Sequence, residues 1–492
     1  MPLFFITSFF ISSLKAVENE FFHLDKFDRW YEVFIGKSKV GYAHSIMQRI
    51  GETIVSESTL KVSIKRAGVP IEISSIDKTE ETINGKVIGF TGEMKMAGVP
   101  IVKEGRVDGT DIVVKQKQFQ RVHTNRYKLD PNGLMTWGLL KLLRDRGFKK
   151  EGNQINAKIY SADFGMDAPT PAKIKILGKT SLKINGQDKQ VFRTEISLTT
   201  SKGVVSTLNW LDENGFAVKT SMRLGGVPIQ ILEANMIQAL KNPESSEFQL
   251  NTLLPVNREI PQNAKSVQFK IETVNGSKIR NLYQSRNQKV SRVSESSSLI
   301  EVRNENFRES KSAYSIMQDP KFIKPNTMID SNDPVIQTLA RNAASGSKNI
   351  YDVANKLSKF SYNFIKNKNF RVGFATATEV ARNNEGDCTE HAVFLAALGR
   401  SMGIPSRVAS GLVFMKNFKD QKNVLAFHMW TEFFLKGTWI SFDSALNKSG
   451  AQTDRITLST SSLSENTINE IGLEIYEFLS NLNVEVQKVD FN

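Results

Sequence analysis

The chain has 492 residues, 40% hydrophobic and 24% charged, with 65 Lys and Arg against 51 Asp and Glu for a net charge of +14. That length exceeds one ordinary domain, so two to four are expected. The composition is that of globular protein, and a single cysteine excludes an internal disulfide framework. The basic residues are scattered. The clearest cluster is Lys356, Lys359, Lys366, Lys368 and Arg371, around a predicted helix end where a solvated face is the default. No nucleic-acid motif is present, and nucleic acid is not an expected partner. A basic surface on an exported protein would instead meet anionic envelope polymers or lipid headgroups.

Residues 1–16 contain a run of about 12 mostly apolar residues, followed by Lys15-Ala16. The run is too short to span a bilayer and reads as the core of a signal peptide, with cleavage after Ala16. The protein is therefore expected to be exported, periplasmic or extracellular. No other stretch approaches 18 apolar residues, so no integral membrane span is expected.

Residues 28–240 read as a β-rich domain built on a curved antiparallel sheet. Its first strands are Trp30–Ile35 and Val40–Ile46 around Gly36-Lys37-Ser38, and turn signals recur at intervals of about 10–15 residues. Gly-Val-Pro-Ile occurs at Gly68–Ile71, Gly98–Ile101 and Gly226–Ile229, which predicts equivalent bends, each followed by an edge-compatible strand. A helix over about 132–146, with Leu134, Trp137, Leu140 and Leu143 on one face, is expected in the concavity. Such a half-barrel either holds an apolar ligand or is filled by its own core. Residues 241–315, with Pro243, Pro255 and Pro261, read as a connector or small β module containing a strand at Val267–Ile271. Helices follow over 326–380: Asp333-Pro334 starts one, and Val353, Leu357, Phe360 and Phe364 form the face of another. A further helix is expected over Ile468–Leu482.

The most informative segment is Gly386-Asp387-Cys388-Thr389-Glu390-His391-Ala392. Asp387 reads as an N-cap and Glu390 completes a capping box, making Cys388 the first helical residue. Gly403 and Pro405 punctuate the end. The helix N-terminus favours a thiolate, whereas the charge of Asp387 opposes it, so a protonated histidine would contribute more. Residues 424–434 and 438–443 read as a hairpin around Lys436-Gly437. A two-residue turn there pairs residues whose numbers sum to 873, setting Asp443 opposite Trp430. His428 and Asp443 then become diagonal neighbours on one face, about 7–8 Å apart at the backbone. A slip of one residue would separate them. A nucleophile, its base and the orienter of that base would need this arrangement. Taken singly, a lone cysteine is usually a small buried hydrophobe, His428 a satisfied strand histidine, Asp443 a turn carboxylate and Glu432 a salt-bridged strand residue. His391, three residues after Cys388 on the same helical face, is the rival base, but no evident carboxylate holds it. Cys388, His391, His428 and Asp443 include ligand types that suit zinc, yet they lack the paired spacings of common zinc sites. No metal and no cofactor is therefore expected.

Four segments together resemble the transglutaminase-like superfamily: Gly386–Ala392, Gly403–Arg407, His428–Glu432 and Trp439–Asp443, with 40 residues from Cys to His and 15 from His to Asp. The resemblance covers roughly 325–480 and looks most like the bacterial multidomain branch. It implies an α+β chain whose C-terminal catalytic domain has a papain-like core, with Cys on a helix N-terminus and His and Asp on antiparallel strands. Antiparallel β-rich domains precede it. It further implies Cys388 as nucleophile, His428 as general base, Asp443 as its orienter, and the Cys388 backbone N–H as one oxyanion donor. Asn383, Asn384 and Trp430 are candidates for the second donor. The implied reaction is acyl transfer from an amide of a protein or peptide, such as a cell-envelope one, through a Cys388 thioester. Hydrolysis is favoured over crosslinking because water is the abundant nucleophile. The alternative from another class is a non-catalytic scaffold whose β-rich domain binds an envelope partner or an apolar ligand.

Overall fold

A computed structural model describes residues 27–491 other than 67–68, 97–99, 119–120, 162–164, 185, 201–202, 225–226, 244–252, 275, 277, 280–281, 305–318, 369–374, 419–420, 451 and 465–481. The signal segment 1–16, Arg371 and most of the helix expected over Ile468–Leu482 lie outside the described residues. Leu482 itself opens a strand, Leu482–Asp490. The chain is β-rich with few helices and divides into two compact units, Met1–Phe248 and Gln249–Asn492.

The first unit carries a 15-stranded sheet. Alternation builds it: in Phe27–Ile35 the side chains of Tyr31, Val33 and Ile35 are buried while those between them are not. From this central strand, neighbours follow in chain order to Arg121–Lys128 at one edge. The chain then passes to the opposite edge at Gly133–Leu134 and returns strand by strand to Val227–Ala234, which pairs with Phe27–Ile35. All pairings are antiparallel except that of Gly133–Leu134 with Gln154–Ser161. The helix Thr136–Asp145 buries Trp137, Leu139, Leu140 and Leu143. It touches Thr53–Arg66 and Val69–Thr82 on one arm of the sheet and Gln154–Ser161 on the other, which requires the sheet to curl around it. Its first turn is held by a distant carboxylate: Trp137 N–H and Gly138 N–H donate to the wholly buried Glu81 at 2.6 and 2.8 Å.

Of the Gly-Val-Pro-Ile segments, the described residues Val69–Ile71, Ile101 and Val227–Ile229 open strands in the interior of the sheet, not at its edges; Gly68, Gly98, Val99 and Gly226 lie outside the described residues. Proline is tolerated there because it sits at a strand start. Pro70 is the second residue of its strand and pairs with Lys65 on one side.

The second unit contains two sheets. Strand Ser266–Thr273 is flanked by Ser297–Arg303, beyond which lies Gln288–Arg292, and by the C-terminal strand Leu482–Asp490. The small β module is thus completed by the tail of the chain. The other sheet runs in the order Lys448–Ser449, Thr438–Asp443, Gln421–Leu435, Ser406–Phe418, Arg455–Ser461, with Leu253–Pro255 also paired to Gln421–Leu435. Helix Cys388–Ser401 lies against it, buried from Thr389 to Arg400. Helices Pro334–Ala343, Ile350–Phe364 and Ala377–Asn383 pack on that helix, with the rings of Phe364 and Phe394 5.2 Å apart. A helix surrounded in this way is apolar on all faces, as Ala392–Leu398 is. Among the described residues no helix is long and apolar enough to cross a membrane.

Candidate active site

The cysteine helix starts where its sequence specifies. The Asp387 side chain accepts from Thr389 N–H at 2.8 Å, and Glu390 reaches back to accept from Asp387 N–H at 2.9 Å. Glu390 also accepts from Ala375 N–H at 3.2 Å, tying the preceding segment to the helix start. Gly386 makes the approach possible, because its φ is +149° and a Cβ there would lie 2.3 Å from that of Glu390. Burial raises the Glu390 carboxyl to about 8, with the neighbouring Asp387 adding to the effect. Cys388 is half-buried at the first helical position, where the backbone N–H has no acceptor within the helix.

The hairpin pairs Thr431 with Phe442 through Leu435 with Thr438, so partner numbers sum to 873. Lys436 and Gly437 both have positive φ, 49° and 79°, as a tight primed turn requires. His428 and Asp443 fall on one face, and His428 Nε2 lies 2.9 Å from Asp443 Oδ2. The Cys388 thiol is close enough to this imidazole to act on it by charge and as a hydrogen-bond partner. Among the described residues, one edge of the histidine strand pairs Thr431–Leu435 with Thr438–Asp443 and Val424–Ala426 with Leu253–Pro255, with Phe427–Trp430 between them. The first turn of the cysteine helix lies over this stretch, with Thr389 Oγ1 3.6 Å from Met429 Sδ and Thr431 Oγ1 donating to Ala392 O at 2.8 Å.

Burial alone would lower the basicity of His428. The Asp443 carboxylate and then the Cys388 sulfur outweigh it, raising the imidazole to about 10. Asp443 is 1% exposed. Burial opposes its charge, but His428, Arg455 and backbone donors hold it ionised, well below the usual carboxylate range. Its Oδ1 accepts from Ala445 N–H at 3.1 Å and Leu446 N–H at 3.0 Å, and its Oδ2 from Arg455 Nη1 at 3.1 Å.

His391 occupies a different environment. Its Nδ1–H donates to Asp387 O at 2.7 Å and its Nε2 is buried without a partner. Burial lowers its basicity and favours the neutral ring. Glu432 is paired, with Arg407 Nη2 2.6 Å away, and the Arg407 guanidinium lies 4.1 Å from the Trp439 ring. Trp430 is buried and its Nε1 has no hydrogen-bond partner. Asn383 ends the helix Ala377–Asn383 and Asn384 is its left-handed cap, with a buried Oδ1 that is also unpartnered. Among the described residues, no three His, Cys, Asp or Glu are grouped to hold a metal ion. Sequence reasoning missed Arg455, which comes from a strand that is not adjacent to the hairpin.

The model of the transglutaminase-like superfamily matches residues 335–444. No curated protein matches the chain in sequence. Three solved structures are similar at low scores. A candidate cysteine protease of Cytophaga hutchinsonii is 17% identical, with a TM-score of 0.32 over 46% of this chain and 93% of that one. A β-barrel-like protein of Brucella abortus, from a domain of unknown function, is 12% identical, with a TM-score of 0.35 over 43% and 97%. A candidate protease of Parabacteroides distasonis is 10% identical, with a TM-score of 0.20 over 82% and 70%. Scores at this level establish no shared fold. The segment that carries Cys388, His428 and Asp443 is, by its match over residues 335–444, a transglutaminase-like domain.

Proposed function

We propose that the second unit carries out thiol-dependent acyl transfer on amide bonds of a peptide or protein, with Cys388 as nucleophile, His428 as acid and base, and Asp443 as orienter. The observation that carries the reading is the single imidazole with Cys388 on one side and Asp443 Oδ2 2.9 Å away on the other. A sulfur anion paired with the imidazolium attacks the carbonyl carbon. The oxygen that becomes negative is met by the Cys388 backbone N–H and the helix N-terminus. As the C–N bond breaks, the imidazolium gives its proton to the leaving amine, and a thioester remains on Cys388. His428 then takes a proton from water, the hydroxyl oxygen bonds to the acyl carbon, and the carboxylic acid and thiol are released. Throughout, Asp443 holds the Nε2–H tautomer and stabilises the imidazolium without taking the proton.

Hydrolysis is preferred to crosslinking because water reaches the thioester without a dedicated site for an amine. Export, read from the apolar run in residues 1–16, would place the substrate in the cell envelope. The test uses the one thiol of the chain. Iodoacetamide should modify a single peptide containing Cys388 and abolish amide-processing activity, and Cys388→Ser should fold normally yet turn over no substrate. An active Cys388→Ser protein would refute the reading.

A further inference from the structure

Asp443 Oδ2 has two partners, and the mechanism above uses only one of them. The other is Arg455 Nη1 at 3.1 Å, on a side chain that is 4% exposed. Arg455 opens the strand Arg455–Ser461, which is separated from the histidine strand by the whole of Ser406–Phe418. Its guanidinium must therefore cross that strand to reach the site. The register shows how: Val413 lies opposite Arg455, Gly411 opposite both His428 and Thr457, and Ala409 opposite Trp430. The small residues Ala409 and Gly411 leave the surface low between Arg455 and the His428–Trp430 face. The guanidinium lies 5.1 Å from the Trp430 ring centroid, and its Nε bonds Asp454 Oδ1 at 3.2 Å.

We propose that Arg455 is a positioning residue of this site: it fixes the Asp443 carboxylate for His428 and sets the charge balance of the Cys388–His428 pair. The inference rests on the reading above. Asp443 without Arg455 would keep its bonds to His428, Ala445 N–H and Leu446 N–H but lose the second donor on Oδ2, the oxygen that meets His428. The cation also acts at a distance. Its positive charge supports the sulfur anion and disfavours the imidazolium, so removing it shifts both protonations of the pair toward higher pH. Among the described residues, the other charged or titratable groups around the pair are Asp387, Glu390 and His391 on the cysteine helix, Lys368, Lys448 and Asp454. Lys448 is paired with Asp454, and Lys368 Nζ donates to Ala445 O at 3.2 Å. Among the described residues, Arg455 is the one Arg or Lys bonded to the carboxylate that holds His428.

The test measures the rate of Cys388 alkylation by iodoacetamide against pH, which needs no knowledge of the substrate. Arg455→Met should move the acid limb of the wild-type profile upward by about half a pH unit to one unit. Arg455→Lys, which keeps the charge but loses the planar fork, should leave the limb in place. Where a peptide substrate is in hand, Arg455→Met should also cut turnover by about tenfold or more through misplacement of the imidazole. Near-ultraviolet circular dichroism must show both variants folded; if Arg455→Met fails to fold, Arg455→Gln replaces it with the same expected shift. A folded charge-removing variant whose limb coincides with wild type overturns the proposal alone. A wild-type profile with no limb below that of a free thiol overturns the catalytic reading beneath it.

Discussion

Gly411 has no Cβ at the one point where three parts of the site converge, and adding one is a severe perturbation. A Cβ at Gly411 would lie 2.0 Å from the Ile456 carbonyl oxygen, 3.0 Å from its carbon and 2.9 Å from Trp430 Cη2. An ordinary carbon–oxygen contact is about 3.3 Å, so Gly411→Ala must displace Ile456 by roughly 1.3 Å. The obstacle is backbone and cannot rotate away. Ile456 is paired opposite Leu412 and follows Arg455, so the displacement pulls Arg455 away from Asp443. Overpacking of this kind costs about 2–4 kcal/mol. For a unit the size of Gln249–Asn492, that corresponds to a fall in melting temperature of about 5–15 °C. The assay is differential scanning calorimetry together with the rate of Cys388 alkylation. Gly403→Ala is the control: Gly403 has φ +75° but nothing within 4 Å of the added Cβ, so it should cost only about 1 kcal/mol and leave alkylation unchanged. A Gly411→Ala protein that melts within about 2 °C of wild type and alkylates at the wild-type rate would refute the packing argument.

Asp443→Asn should lower turnover by about a hundred- to ten-thousand-fold, because an amide can favour the wrong imidazole tautomer. Its thermal stability should also fall by about 2–4 kcal/mol, since Arg455 is left buried with Asp454 as its one carboxylate partner, and calorimetry reads this directly. His391→Asn should be far milder than His428→Ala in alkylation and turnover, because burial lowers the basicity of His391 and its Nδ1–H is tied to Asp387 O. The reverse ranking would transfer the base role. In the first unit, burial raises Glu81 to about 7. The folded protein therefore holds this proton more tightly than the unfolded chain. The stability it contributes is fully present below about pH 4.5 and is lost as pH rises through 7, by at most about 3 kcal/mol. Glu81→Gln should flatten this part of the melting profile against pH, and an unchanged slope would count against the argument.

The hairpin geometry was legible in the sequence because every determinant is local. The Lys436-Gly437 turn fixes the register, alternation fixes the face, and together they bring His428 to Asp443. The start of the cysteine helix was legible for the same reason: Asp387 and Glu390 act within one turn of Cys388. Arg455 was not, because its place depends on the pairing of Ser406–Phe418 with Arg455–Ser461, which no periodicity within either strand reveals. The same limit applies to the β modules. Alternation in Val267–Ile271 announces a strand, but its partner near Val486 lies more than two hundred residues away. In the first unit the strands could be read, whereas the passage of the chain from one edge of the sheet to the other, between Lys128 and Gly133, could not. Glu81 reads as an ordinary strand carboxylate until the helix it caps is seen above it.

The most direct test of the account is the rate of Cys388 alkylation by iodoacetamide at pH 6, compared between wild type and His428→Ala, with both proteins shown to be folded. If the imidazolium held by Asp443 sustains the sulfur anion, wild type reacts at this pH and His428→Ala reacts at least about tenfold more slowly. Equal rates in the two folded proteins would contradict the account, because the Cys388–His428 pair would then have no part in making the thiol a nucleophile.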